Sequence, residues 1–330
     1  MEKIRVVIVG ARGKKLGEPV GKAIAESEDI VTVAEIVKPG DERPSSWCEA
    51  QFHSFAGPWI DRRGMPDTKI HDAVVFYAVK GEDLGDLLLE SARADFTKHV
   101  IGSTAIPEST EDHIRRLVAE GHTIVPVKNF SPEAVFLEWL LEVAARVLPE
   151  HRVGINEEHH EMKTDGPSGT AIALAKAVCR ARGWSEDAIR YGWERKMESF
   201  PEEAVNIAWQ RLGDTVGEHH VKLKGKHAYM VFSQVAQSSQ SFAAAALRAV
   251  RWTARQTEPG LYGMHDVLGL PKVSSDLQRH LARAEYVKRG MPLPQALTSD
   301  APFCDVCGHI TQRNGACYKC LNCGNSMGCS

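Results

Sequence analysis

Between residues 157 and 170 the chain reads Glu-Glu-His-His-Glu-Met-Lys-Thr-Asp-Gly-Pro-Ser-Gly-Thr, a run whose side chains suit proton transfer beside a bound anion. A histidine exchanges protons near neutral pH. Lys163 supplies a positive charge or a transferable proton. The turn Gly166-Pro167-Ser168-Gly169 leads into Thr170 to Arg182, which is rich in helix formers and stops at Gly183. Free N–H groups at a helix start, with the positive end of the helix dipole, grip anions. Ser168 and Thr170 add hydroxyl donors, and the glycines admit a ligand close to the backbone. Upstream, Arg152 to Asn156 alternates as a strand does. In an extended segment His159 and His160 face opposite sides, so they take different roles. A His-His pair by itself is more often a solvated pair beside a capped helix. Imidazole, ammonium and anion-binding turn together, in one strand-to-helix loop, point to chemistry.

The elements that must hold this loop are legible around it. With 330 residues the chain is long enough for two domains with cores of their own. Hydrophobic content of 43% and charged content of 25% are ordinary for a soluble globular protein. A net charge of -3 argues against a general role on nucleic acid or at a membrane surface. No run approaches 18 apolar residues and the N-terminus lacks signal-peptide regions, so a cytoplasmic protein is expected.

Ile4 to Val9 reads as a buried parallel strand. The glycine-rich turn Gly10 to Gly17 follows, with Pro19 in the first helical turn. This is a dinucleotide-binding arrangement, in which pyrophosphate rests on backbone amides; its cofactor residues would be Gly10, Arg12, Gly13, Lys15 and Leu16. A second strand, Ile30 to Val37, ends at Lys38, where NAD-binding domains place an acid; a lysine suits the 2′-phosphate of NADPH, with NADH as the other option. Pro39 to Asp72 reads as irregular. Ala73 to Val79, His99 to Thr104 and Thr123 to Val127 give further strands, separated by helices Leu84 to Ala94 and Glu111 to Glu120. A helix from Phe136 to Leu148 then leads to the His-His loop, strands Val205 to Arg211, Glu218 to Leu223 and Ala228 to Val235, and a helix from Phe242 to Arg255. The expected class is α/β: a Rossmann-type parallel sheet domain plus an α+β substrate domain with a mixed sheet.

Glu157 to Ala171 resembles, without a gap, the signature Glu-x-His-His-x-x-Lys-x-Asp-x-Pro-Ser-Gly-Thr-Ala of the dihydrodipicolinate reductase family. The resemblance implies reduction of a cyclic imine dicarboxylate by a nicotinamide cofactor in the lysine/diaminopimelate pathway. It assigns acid/base work to His159, proton donation to Lys163, and the substrate carboxylates to His160, Ser168, Gly169 and Thr170. Gly102, Ser103 and Thr104 resemble the family's cofactor loop, and Asn129-Phe130-Ser131 its Asn-Phe-Ser. Arg211 to His219 is similar to its Arg-x-Gly-Asp-x-x-Gly-x-His turn. The likeness covers roughly residues 4 to 270 with interleaved domains: 1–131 and 244–272 for the dinucleotide, 132–243 for substrate and oligomerisation. It suggests a tetramer built through the substrate-domain sheet.

Departures from the family pattern are specific. The first glycine turn carries one extra residue, Ala78 falls where a Ser or Thr follows Asp-Phe, and Pro132-Glu133-Ala134 interrupts a Gly-Val pair. Gln234 replaces a His and Ser239 an Arg, the side chain that best forks a carboxylate. Two other readings therefore stay open: a paralogue reducing a different imine or enamine acid, or a non-catalytic nucleotide-binding regulator with a docking tail.

Six of the eight cysteines crowd into the last 27 residues. After a helix and linker at 273–302, residues 303–330 hold two CxxC pairs able to place four thiolates around Zn2+. The expected ligands are Cys304, Cys307, Cys320 and Cys323, with Cys317 an alternative to Cys320. This module resembles the C-terminal cysteine module of cobalamin-dependent ribonucleotide reductases, and only its metal site is carried over. A structural, partner-docking or thiol-shuttle role is left open.

Overall fold

The computed structural model describes residues 2–37, 52–54, 72–192, 199, 201–238, 240–271, 273, 311–314, 317–320 and 326–327. In chain order the elements are β1 (Ile4–Val9), α1 (Gly17–Ala25), β2 (Ile30–Val37), β3 (Phe52–Ser54), β4 (Val74–Tyr77), α2 (Gly81–Arg93), β5 (Lys98–Ile101), α3 (Glu108–Ala119) and β6 (Thr123–Pro126). Then follow α4 (Pro132–Val147), β7 (Arg152–His159), α5 (Gly169–Arg182), β8 (Ile189–Tyr191), β9 (Val205–Arg211), β10 (Gly217–Lys224) and β11 (Tyr229–Ala236). The remainder are α6 (Gln240–Ala254), β12 (Gly260–Leu261), α7 (Met264–Leu268), β13 (Thr311–Asn314), β14 (Cys317–Cys320) and β15 (Ser326–Met327).

The first sheet is wholly parallel, in the order β12-β6-β5-β4-β1-β2-β3. Its short apolar strands are buried on both faces, as parallel strands under two helical layers must be. Alternation along β1 sends Val6 and Ile8 toward α1 and α6, and Val7 and Val9 toward α2 and α3. The strand order reverses between β1 and β4, so the crevice at the carboxyl ends of these two strands is the place where such sheets take a ligand.

Helix α6 returns the chain to this sheet after the second one has been built. Arg251 forks Asp29 at 2.7 and 2.8 Å, a surface pair contributing at most about 1 kcal/mol. Buried Ala246, Leu247, Ala249 and Val250 remove far more apolar surface, at about 25 cal/mol per Å², so packing rather than the ion pair holds α6.

The second sheet is mixed, in the order β11-β10-β7-β9-β8. β10 runs antiparallel to both neighbours, while β7, β9 and β8 are parallel. Val153 and Ile155 of β7, Val205 and Ile207 of β9, and Val221 and Leu223 of β10 share one face, buried under α4 and α5. Tyr229, Val231 and Val235 of β11 are exposed. A separate three-stranded antiparallel sheet joins β13, β14 and β15. No helix among the described residues is long and apolar enough to cross a membrane.

The expected order of elements is present, with corrections. Strands β8 and β12, of three and two residues, carry too little pattern to be read, and β3 falls in the stretch expected to be irregular. α4 begins at Pro132 rather than Phe136 because Ser131 caps it, its hydroxyl accepting from the Ala134 amide at 3.2 Å, with Pro132 at the first position. The helix expected between 274 and 289 lies outside the described residues.

A polar chain crosses the α2–α3 side of the core. His99 is fully buried; its Nδ1 accepts from the Tyr77 hydroxyl at 3.1 Å, and its Nε2 lies 3.1 Å from both the Phe96 carbonyl and His122 Nδ1. One neutral tautomer, with the proton on Nε2, satisfies all three contacts. Burial first and the neighbouring His122 second push the His99 pKa down to about 3. The unfolded chain then binds a proton near pH 6.5 that the folded chain refuses, so His99 stabilises the fold above pH 6.5 and that contribution is lost as pH falls toward 3. The expected slope is up to about 1.4 kcal/mol per pH unit. Urea unfolding across that window should show a shallower slope for His99→Gln than for the parent; parallel slopes would refute the assignment.

Candidate active site

Four of the polar side chains at the carboxyl end of β7 are continuations of core rows. Glu157 and His159 lie in the same alternating row as Val153 and Ile155, Arg211 in that of Val205 and Ile207, and His219 in that of Val221 and Leu223. Register completes the cluster, since Glu157 lies opposite His219 of β10 and His159 opposite Arg211 of β9. The buried face of the sheet turns from apolar to ionisable where α5 begins.

Glu157 is the hub and has no exposed surface. Its Oε1 accepts from the Ser168 amide at 2.9 Å and from both terminal nitrogens of Arg211 at 3.3 and 3.4 Å. Burial alone would raise its pKa, but the polar groups of His219 and Ser168 gathered around it hold it at about 2, so it is a carboxylate at neutral pH. Arg211 also donates to the carbonyls of Lys163 (3.1 Å), Asp165 and Gln210 (2.7 Å). One guanidinium thus fixes the loop that carries Lys163 to the carboxylate beneath it.

The two imidazoles are held in defined tautomers. His159 Nδ1 donates to the Val216 carbonyl at 3.1 Å, which leaves Nε2 bare and 3.7 Å from Glu157 Oε2. Burial depresses its pKa, so at neutral pH it is a base. His219 Nδ1 donates to Gln234 Oε1 at 3.0 Å, and its Nε2 accepts from the Ser168 hydroxyl at 3.1 Å. The rings meet edge to face, with centroids 5.5 Å apart. Gly217 is required beneath them: a Cβ there would lie 2.7 Å from Cε1 of His159.

Ser168 caps α5, its Oγ accepting from the Ala171 amide at 3.2 Å. Both its hydroxyl and its amide are therefore engaged internally, whereas the Gly169 and Thr170 amides at the start of α5 donate to no described residue. Two free N–H groups at a helix start are an arrangement able to grip an anion. Lys163 Nζ donates to both oxygens of Asp165 at 2.8 Å, and the half-buried His160 ring makes no hydrogen bond to a described residue.

The loops expected to hold a cofactor converge at the carboxyl edge of the first sheet. Gly10 has φ +82°, and its amide bonds the Ile36 carbonyl while Gly13 N–H bonds Gly10 O at 3.0 Å. A Cβ on Gly102 would run into Leu16 at 2.5 Å and lie 3.3 Å from Phe130, so three loops meet there. α1 starts at Gly17 with no side-chain cap. Lys15 and Thr104 are exposed. Ser103 and Phe130 are buried, the first bonded to the Val79 carbonyl at 2.6 Å and the second against Phe76. Arg12 folds onto buried Glu35 at 3.0 Å. Lys38, Cys304, Cys307 and Cys323 lie outside the described residues, as does the Cys320 side chain.

Asn129 joins the two halves: its Nδ2 donates to Thr170 Oγ1 at 3.1 Å and its Oδ1 accepts from the Ser131 amide at 2.9 Å. A cavity of about 350 Å³ bordered by Ile114, Pro126, Lys128, Tyr262 and His265 shares Asn129 with the site. Sequence reasoning assigned no role to Glu157, Arg211, His219 or Gln234. Strand alternation continued past Asn156 would place Glu157 on the side of His159, and Arg211 and His219 bracket the Gly-Asp turn, but only strand register reveals that they meet.

Residues 134–268 match the family model described as dihydrodipicolinate reductase, C-terminus. The chain is 32% identical over 269 residues to the 4-hydroxy-tetrahydrodipicolinate reductase of Thiobacillus denitrificans, covering 81% of this chain and 99% of that one. It is 32% identical over 273 residues to the enzyme of the same name from Methanoregula boonei, with the same coverage. Among solved structures, a dipicolinate-bound dihydrodipicolinate reductase from Paenisporosarcina sp. TG-14 superimposes with a TM-score of 0.62 at 19% identity, over 79% of this chain and 97% of that one, a likeness of fold.

The packing of Gly217 under His159 has a measurable consequence. Gly217→Ala should lower unfolding free energy by about 1–3 kcal/mol as the ring is displaced. Gly154→Ala, in the neighbouring strand, meets nothing within 4 Å and should stay within about 0.5 kcal/mol of the parent. Equal stabilities for the two variants would contradict the close approach.

Proposed function

Since the chain belongs to the dihydrodipicolinate reductase family, we propose that it is an NAD(P)H-dependent reductase of a cyclic imine dicarboxylate, 4-hydroxy-tetrahydrodipicolinate reductase being the activity its site fits best. The observation that carries this reading is one loop in which unpaired Gly169 and Thr170 amides stand with His159 and Lys163, tied through Asn129 to the cofactor edge. The positive φ of Gly10 and the uncapped start of α1 suit a pyrophosphate. Gly10, Arg12, Gly13, Lys15 and Leu16 would hold it, with Gly102, Ser103, Thr104, Asn129 and Phe130 forming the rest of the cofactor cleft. When bound, the reduced nicotinamide supplies a hydride to the unsaturated ring.

The chain's own residues supply the remainder. The Gly169 and Thr170 amides, with His160, hold carboxylate. The Lys163 ammonium, paired with both oxygens of Asp165 at 2.8 Å, delivers the proton that balances the hydride. His159, neutral and fixed by Val216, is the adjoining acid/base group. Lys38 in place of an acid favours NADPH. Gln234 and Ser239 favour a second reading within the same class, a related imine or enamine acid as substrate.

We assign the assembly as a cytoplasmic homo-tetramer formed through the open face of the second sheet, where Tyr229, Val231 and Val235 are exposed. Zn2+ in the tail, on Cys304, Cys307, Cys320 and Cys323, completes the proposal.

Coenzyme oxidation with enzymatically generated substrate tests the core of it. His159→Gln and Lys163→Ala should each lose about two orders of magnitude in kcat. Full activity in both would remove the assignment. In the same assay Lys38→Glu should shift the KM ratio toward NADH, and an unchanged ratio would remove the NADPH preference. A chain ending at Pro302 should carry less zinc than the full chain, and equal content would eliminate the tail site.

A further inference from the structure

Around Glu157 the hydrogen-bond accounting fails to close on one side. Oε1 receives the Ser168 amide and Arg211, whereas Oε2, on a side chain with no exposed surface, has no hydrogen-bond partner among the described residues. His159 Nε2 is likewise buried without one. A buried acceptor left unpaired costs about 1–3 kcal/mol. Here a carboxylate oxygen and an imidazole lone pair face each other at 3.7 Å. Two acceptors in that position require something electropositive between them.

A third donor atom points to the same place. His219 Nε2 lies 3.5 Å from Glu157 Oε2, and the three ligand atoms all fall within 4.8 Å of one another. Neighbouring ligand atoms around a tetrahedral zinc at its usual bond lengths are about 3.3 Å apart, so small movements close the set. Both imidazoles also carry the outer partner that metal-bound histidines have: Nδ1–H donates to the Val216 carbonyl in one and to Gln234 Oε1 in the other. Each tautomer therefore directs a lone pair inward. Gln234 is one of the positions where this chain departs from its family pattern. With its amide oxygen turned toward Nδ1, Gln234 accepts the ring proton there and leaves Nε2 to accept from the Ser168 hydroxyl.

We propose that Glu157, His159 and His219 form a binding site for a divalent transition metal of the zinc class. The two Nε2 atoms and Oε2 are the ligands, and the Ser168 hydroxyl, 3.1 Å from His219 Nε2, turns its proton away to admit the ion. Arg211, on the opposite carboxylate oxygen, keeps that oxygen out of the coordination sphere. If the reductase reading above is right, an ion here occupies the acid/base nitrogen of His159, so the metal is an inhibitor and not a cofactor.

Calorimetric zinc titration of the metal-stripped full chain tests the site without reference to activity. The Cys304→Ser/Cys307→Ser variant, which disables the tail, should still take up about one equivalent of zinc. Adding Glu157→Gln to it should abolish that uptake: glutamine keeps the Oε1 acceptor for Ser168 and Arg211 but replaces Oε2 with an amide. Adding His159→Gln instead should weaken binding at least tenfold. Uptake unchanged by either substitution, or absent from the tail variant, overturns the proposal. Circular dichroism of each variant verifies that the fold survives, and should Glu157→Gln unfold, the His159→Gln comparison decides alone. Zinc uptake through Glu157 in a chain without reductase activity would retain the site and overturn the reductase reading.

Discussion

A single buried negative charge governs the second half of this molecule. Glu157 sits where three core rows of a sheet end, and taking a carboxylate out of water costs several kcal/mol unless donors converge on it. The donors come from two separate segments, Arg211 at the end of β9 and the Ser168 amide at the start of α5, and the Ser168 hydroxyl in turn holds His219 at the start of β10. Satisfying that charge therefore brings a strand end, a helix start and a turn to one point. Removing Arg211 would leave the carboxylate buried and short of a partner, a loss of about 3–5 kcal/mol. The loop's shape follows from this constraint, because the same guanidinium holds the Lys163 and Asp165 carbonyls.

The nucleotide-type sheet and the mixed sheet have separate cores, and a few polar contacts decide how the chemistry lines up between them. Asn129 leaves the end of β6 and bonds Thr170 in the first turn of α5, while Ser131, two residues on, caps α4. α4 in turn packs against α5 over the mixed sheet. The anion grip and the cofactor edge are thereby positioned by one short segment, 129–131, whose side chains spend their hydrogen bonds on alignment.

Much of this was legible in the chain. The alternation of β7, β9, β10 and β11 and the glycine stop of α5 were readable because each is a local signal of period or capping. The Asn129-Phe130-Ser131 loop was readable by likeness, yet Phe130 and Ser103 prove buried and Arg12 is folded onto Glu35, since a motif gives position without burial. The Glu157–Arg211–His219 cluster was not readable. Its members are 54 and 62 residues apart along the chain, and they meet only through strand register, a long-range property that no local pattern encodes. The His99–His122–Tyr77 chain escaped for the same reason.

With Ser239 where the family pattern carries Arg, the chain lacks that fork for a carboxylate. Arg211 lies close to the anion turn and is a candidate to replace the missing fork. It cannot do so without abandoning Glu157, and the cost of an unpaired buried carboxylate exceeds the roughly 1.5–3 kcal/mol that a charged hydrogen bond to a ligand contributes. On the proposed reading, a bound carboxylate would therefore rest on the Gly169 and Thr170 amides, with His160 and Lys163 beside them. Amides at a helix start favour an anion in one direction, along the axis of α5, and Lys163 is a point charge without a fork's geometry. Such a site would hold one carboxylate firmly and tolerate variation at the second, which would place substrate specificity in the turn itself and not in an arginine clamp.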